Sequence, residues 1–223
     1  MKIAGLDLSI AGSGIVVEEL DDQFNIINVE YHAFTTKKKV PWTNVLCCRK
    51  DDFNNQYARY KFITDNIIDW CKDCEYIAVE DIATHGSGMI VDLSEFEGHV
   101  KMKLYDNGKK IRLYSPTTNK KFFSGRGSAD KIGMREAFEA WPEKKVNIDD
   151  LPFVDKGTGI GPTSDIIDAT ALCEFLRFEL KLKNGKMKLE DLTKAQQEVF
   201  TTTKTIDGKI IKESLINRPF IEP

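Results

Sequence analysis

The chain has 223 residues, enough for one sizeable domain with additions, and its composition (41% hydrophobic, 30% charged) is that of an ordinary soluble globular protein. No apolar stretch approaches the roughly 20 residues of a membrane span, and Met1-Lys2 leads at once into a strand-like run rather than a signal peptide; a cytoplasmic protein with no membrane partner is expected. The net charge of −3 argues against nucleic acid, but residues 101–135 carry +8 and the remainder −11, and a local basic stretch is the footprint of a phosphate-backbone binder.

Lys2 to Asp7 reads as a buried strand, Gly12-Ser13-Gly14 as a turn, and Ile15-Val16-Val17 as the start of a second strand. Phe24 to Phe34, rich in β-branched and aromatic residues, reads as a third, so the chain opens with two antiparallel hairpins. Residues 35–55 are polar and irregular and read as a loop. Asn55 to Cys74 carries Tyr60, Ile63, Ile67 and Cys71 at helical spacing. Cys71-x-x-Cys74 lies at the end of that helix, and the adjacent pair Cys47-Cys48 is poor ligand spacing, so neither a zinc set nor a redox motif is expected. Five cysteines, an odd number, also argue against a disulfide framework.

Tyr76 to Glu80 is short and apolar, as a central strand should be. Ala83 to Asp92 reads as a loop. Ser94-x-x-Glu97 matches a capping box for a helix that Asn107-Gly108 ends. Ile111 to Tyr114 is a strand, and Ser128 is expected to cap a helix running to Trp141 and stopping at Pro142. Residues 143–163 read as a glycine-rich loop. Asp165 to Leu182 is a strongly apolar helix. Beyond Lys183 the pattern weakens, apart from the hairpin signal Asp207-Gly208. The order predicts an α/β layered domain with a mixed sheet over residues 1–182, and an extension over 183–223 that contains a possible β-hairpin.

Four acids stand out against this frame. Asp7 and Glu80 end apolar strands, where an unpaired carboxylate is costly unless a cation answers it. Asp81 is an alternative to Glu80. Asp165 and Asp168 are three apart and share a helix face, so they repel unless a cation lies between them. Hard oxygen ligands of this kind suit a pair of Mg²⁺ or Mn²⁺ ions and metal-assisted chemistry on a phosphodiester. Gly125-Arg126-Gly127-Ser128, with Lys131 and Arg135 following on a helix, suggests a phosphate contact.

In four ordered segments the chain resembles the RuvC family of Holliday junction resolvases, within the ribonuclease H-like superfamily. Gly5-Leu6-Asp7 with Gly12 to Val17 is similar to the family's first-strand aspartate and hairpin, and Ile77 to Glu80 to its strand-end glutamate. Tyr114 to Lys121 with Gly125 to Lys131 and Met134 is similar to its lysine-bearing DNA segment, and Ser164 to Ala169 to its closing aspartate pair. The resemblance implies a ribonuclease H-like mixed sheet flanked by helices. It implies a homodimer that grips a four-way DNA junction and nicks two strands symmetrically. It assigns Asp7, Glu80, Asp165 and Asp168 to two Mg²⁺ or Mn²⁺, and Lys120 or Lys121, Arg126 and Lys131 to DNA phosphates. Where the bacterial family has an aromatic residue three after the glutamate, this chain has Ala83, with His85 the nearest ring. The 35–55 loop and the residues after Leu182 resemble the elaboration of the phage and poxvirus branch, which implies a viral origin and a host cytoplasm. A flap or fork nuclease of the same fold is an alternative. An actin-like or sugar-kinase-like ATPase, with residues 157–161 as a second phosphate loop, is another.

Overall fold

The computed structural model describes residues 1–36, 44–81, 89–143, 162–206 and 209–223. Strands β1 (Lys2–Asp7), β2 (Gly14–Leu20) and β3 (Ile26–Thr35) form an antiparallel meander. A short β4 (Val45–Cys47) then joins β3 in parallel. Helix α1 (Gln56–Trp70) crosses to β5 (Cys74–Glu80), and α2 (Met89–Asp106) crosses to β6 (Lys110–Tyr114); β5 and β6 extend the sheet in parallel from β1. The six-stranded mixed sheet has the order β4-β3-β2-β1-β5-β6.

Strand alternation decides which side chains meet the long helix. On β1, Ala4 and Leu6 join the core beneath α1 and α2, while Ile3 joins the opposite core. Gly5 and Asp7 therefore share Ile3's face. On β5, Ile77 and Val79 face α1 and α2, so Ala78 and Glu80 face the other way. That second face is covered by α3 (Pro116–Ser124), α4 (Lys131–Ala140) and above all α5 (Pro162–Lys183), which is buried along nearly its whole length. With both faces covered, the inner strands lose the polar alternation of a half-exposed sheet.

Helix α5 sits hard on the first hairpin. A Cβ at Gly5 would lie 2.1 Å from the Ala169 carbonyl oxygen, and one at Gly14 would lie 2.1 Å from that of Asp165. These are backbone atoms and cannot swing aside. We expect Gly14→Ala to destabilise the fold by about 3 kcal/mol through overpacking, measured by urea unfolding; a loss under about 0.5 kcal/mol would mean that α5 does not seat this closely.

Several expectations need correction. The 35–55 stretch contains β4 and a 3-10 turn at Lys50–Asp52, elements too short for periodicity to reveal. Helix α2 begins at Met89, so Ser94 lies inside it, and Glu97 pairs with Lys101 within the helix (2.8 Å) rather than closing a capping box. Helix α4 is capped by Asp130, which accepts from the Gly133 amide, and not by Ser128. Helix α3 was not expected; Ser115 caps it, Pro116 opens it and Gly125 closes it at φ 81°, where a side chain would be strained. Helix α5 starts three residues before Asp165.

After α5, the chain forms α6 (Lys194–Phe200) and an antiparallel pair, β7 (Thr201–Ile206) and β8 (Lys209–Ser214). The turn Asp207-Gly208 lies outside the described residues. Leu192, Val199, Phe200 and Leu215 belong to the core beneath α5. The tail then returns to the sheet, where Ile221 exchanges two backbone hydrogen bonds with Ile111 of the edge strand (2.8 and 2.9 Å). The buried Arg112 binds Glu179 of α5 through two nitrogens (2.6 and 3.1 Å) and donates to the carbonyls of Arg218 and Pro219 (2.9 Å each), with the Phe220 ring over its guanidinium.

Candidate active site

The two strand ends and the first two turns of α5 meet at one end of the sheet. Asp7 and Glu80 end adjacent parallel strands on the same face, and α5 lays Asp165 and Asp168 over them. Gly12 and Gly14 make this approach possible: a Cβ at Gly12 would lie 2.9 Å from Asp165 Oδ2. All four carboxylates are half-buried, among neighbours on α5 that are fully buried.

Their electrostatics show the convergence. Burial pushes the Asp7 carboxyl well above the usual carboxylate range, and the charges of Asp168, Glu80 and Asp165 push the same way, with Lys131 opposing. Burial raises Glu80 to about 7, helped by Asp168 and opposed by Lys120. Asp165 is raised by burial to about 6 against the pull of Lys131 and the Ser164 hydroxyl. Asp168 reaches about 6 for the same reason, against Lys120 and Lys131. Burial is the largest cause at all four, and the charge of Asp168 adds to it at Asp7, Glu80 and Asp165. Asp81, the alternative to Glu80, is exposed, and its amide donates to the Tyr114 carbonyl (2.8 Å).

The basic residues divide sharply. Lys120, midway along α3, acts on Glu80 and Asp168. Lys131 opens α4 and donates to Ser164 Oγ (3.1 Å), which in turn donates to Asp165 Oδ1 (3.2 Å). Lys121, the neighbour of Lys120, instead pairs with Glu198 of α6. Arg126 is exposed, and Arg135 pairs with Glu139 one turn along α4 (2.9 Å). Much of the +8 window is structural: Lys109 is buried and donates to the carbonyls of Lys72 and Cys74, Arg112 holds Glu179, Lys101 holds Glu97 and Lys110 holds Glu75. The window is therefore not one basic surface, which corrects the reading of it as a continuous footprint. Ala83, His85 and the glycines of residues 157–161 lie outside the described residues.

Two residues at this site were not singled out from the sequence. Ser164 links Lys131 to Asp165. Asn119 is buried on α3 with its amide reaching the Asp168 carbonyl (3.5 Å), while its Oδ1 has no hydrogen-bond partner among the described residues. Neither belongs to a spacing pattern that a sequence could display.

Among the described residues no group of three His, Cys, Asp or Glu side chains is arranged so that it could hold a metal ion. The donor set nevertheless fits a hard divalent cation. It offers carboxylate oxygens alone, gathered from three elements, with more negative charge than Lys120 and Lys131 answer.

No protein-family model and no curated protein matches the sequence. Among solved structures, the chain is similar to Thermus thermophilus RuvC, at 17% identity and a TM-score of 0.53, over 84% of this chain and 99% of that one. Weaker likenesses are to the yeast mitochondrial Holliday junction resolvase (12% identity, TM-score 0.49, 82% of this chain and 81% of that one). Another is to a fowlpox virus resolvase solved with Holliday junction DNA (12% identity, TM-score 0.46, 81% of this chain and 99% of that one). The fold is thus RuvC-like, a ribonuclease H-type mixed sheet flanked by helices. No helix among the described residues is long and apolar enough to cross a membrane.

Proposed function

We propose that this chain is a metal-dependent endonuclease that resolves four-way DNA junctions. One observation carries the reading: Asp7, Glu80, Asp165 and Asp168 converge from β1, β5 and α5 on one face of a RuvC-like fold, so that the charges of the other three all raise the buried Asp7 carboxyl. An ATPase would have no use for the acid pair on α5.

In this reading Asp7, Glu80, Asp165 and Asp168 hold two Mg²⁺ or Mn²⁺ ions, which when bound stabilise the charge building on the phosphoryl oxygens and activate the attacking water. Lys120 and Lys131 flank the carboxylates and bind phosphates of the strand being cut. Ser164 holds the Lys131 ammonium beside Asp165. Arg126 extends the phosphate contact along the strand, while Lys121 and Arg135, already paired, contribute less. Paired symmetric nicks need two sites, and one chain offers a single such cluster among its described residues, so the working unit is a homodimer.

End-labelled four-way junction, Y-fork and linear duplex, each with Mg²⁺, with Mn²⁺ and with EDTA, test the reading. Paired, metal-dependent nicks near the junction centre are expected. Equal cutting of fork and junction would replace it with a general branched-DNA nuclease, and no cutting with either metal would sink it. Lys131→Ala is expected to weaken junction binding in EDTA and to lower the slope of log K against log salt by about 0.9, the value of one phosphate contact; an unchanged slope would remove Lys131 from the interface.

A further inference from the structure

Next to the carboxylates lies an open cleft of about 510 Å³, bordered by the turn residues Ile10 and Ala11 and by Arg49, Lys50 and Arg59. It shares a wall with the site. The Ser9 hydroxyl accepts from the amides of Ala11 and Gly12 (3.2 Å each), and the far side of that turn, at Gly12, meets Asp165. The cleft and the carboxylates thus lie on either side of one turn.

The unusual member is Arg59. It is only 8% exposed, yet its contacts are to neutral groups: Nη2 donates to the Ile10 carbonyl and lies 3.9 Å from Cys48 Sγ. Its Nε is buried with no acceptor, and no carboxylate stands within ion-pair distance of its guanidinium, among the described residues. A buried cation without a counter-ion is costly. Arg49 is held by Asp52 (3.1 Å), but Lys50 is exposed at the rim. Asp51 and Asp92 also line the cleft; with Arg49 answered by Asp52, Lys50 and Arg59 face these two carboxylates, and the cation that no carboxylate answers directly is the buried Arg59. The sequence segment that supplies Arg49 and Lys50 is the irregular stretch to which no role attaches in the reading above.

We propose that this cleft is a second phosphate subsite, which takes a backbone phosphodiester of the DNA strand that enters the carboxylate site. Arg59 provides the fixed, desolvated charge, and Lys50 provides the adaptable one at the mouth. The guanidinium also tethers the Ile10 carbonyl, so strand binding and the position of the turn after Asp7 are mechanically linked. This inference rests on the nuclease reading for its ligand, and its test separates the two.

Binding of labelled four-way junction and of labelled linear duplex is measured in EDTA across a salt series for wild type, Lys50→Ala, Arg59→Gln and Arg59→Lys. Lys50 is exposed, so its variant carries no folding risk; melting curves check the Arg59 pair. The slope of log K against log salt is expected to fall by about 0.9 in Lys50→Ala and in Arg59→Gln, and to be retained in Arg59→Lys. Unchanged slopes and affinities in Lys50→Ala and Arg59→Gln would overturn the subsite, even if the wild type cuts junctions normally. Slopes on duplex that fall in Lys50→Ala and Arg59→Gln, with a wild type that cuts nothing, would keep the subsite and discard the nuclease reading.

Discussion

Asp7→Asn is expected to reduce junction cleavage by about 10³-fold or more, some 4 kcal/mol of transition-state stabilisation, while leaving junction binding within a factor of about two. The amide keeps the shape of the carboxyl but removes the charge at the centre of the four acids. The same variant should gain stability. In the folded protein burial raises Asp7, Glu80 to about 7, and Asp165 and Asp168 to about 6, with neighbouring carboxylates adding to it at Asp7, Glu80 and Asp165. Carboxyls raised by folding contribute stability that is complete below their ordinary range, near pH 4, and is lost as pH rises through the folded values. In EDTA the wild type is therefore expected to lose about 1–3 kcal/mol from this site between about pH 4 and pH 7 to 8. Asp7→Asn should lose less, melting a few degrees above wild type at pH 8 and level with it near pH 4. Mg²⁺ or Mn²⁺ should raise the melting temperature of the wild type at pH 8 and do little for the variant. Retained cleavage would remove Asp7 from the reaction, and a variant no more stable than wild type at pH 8 would contradict the cost of burying the Asp7 carboxylate among the other three acids.

Arg112→Met is expected to cost about 3–5 kcal/mol, the usual result of removing one partner from a buried pair. Glu179 is fully buried, and without the guanidinium it keeps the Tyr114 hydroxyl (2.7 Å) and, more distantly, Lys183 (3.6 Å). The carbonyls of Arg218 and Pro219 lose their donor at the same time, and Phe220 loses the cation it covers. The tail should then detach from β6 and become open to carboxypeptidase. At about 2–4 °C per kcal/mol for a chain of this size, the melting temperature should fall by about 10 °C. Arg112→Met with Glu179→Leu should recover much of the loss, because the stranded charge is gone. A single variant within about 1 kcal/mol of wild type would show that the tail is held by its backbone pairing alone.

Arg112 also shows why charge read along a chain misleads. It counts toward the basic window of residues 101–135, as do Lys101, Lys109 and Lys110, yet each of these is spent on partners within the fold. Lys120 and Lys121 are adjacent and chemically identical, and one faces the carboxylates while the other faces Glu198. Helical geometry turns neighbours by about 100°, and only the packing of α3 against α5 and α6 decides which of the two reaches the site.

The sequence by itself determined the acids and their settings. A carboxylate at the end of an apolar run, and a pair three apart on an apolar helix, are local patterns whose cost in a dry environment can be argued without coordinates. It also determined the alternation that sends Asp7 to the same side as Gly5 and Ile3. Tertiary structure alone decided that β1 and β5 are neighbours, that glycines at 5, 12 and 14 let α5 close on the hairpin, and that Ser164 and Asn119 stand at the site. It alone brought Arg59, remote in sequence from Ile10, against the turn after Asp7. Periodicity reports which face of an element is buried, but not what buries it, because that depends on contacts between residues far apart in the chain.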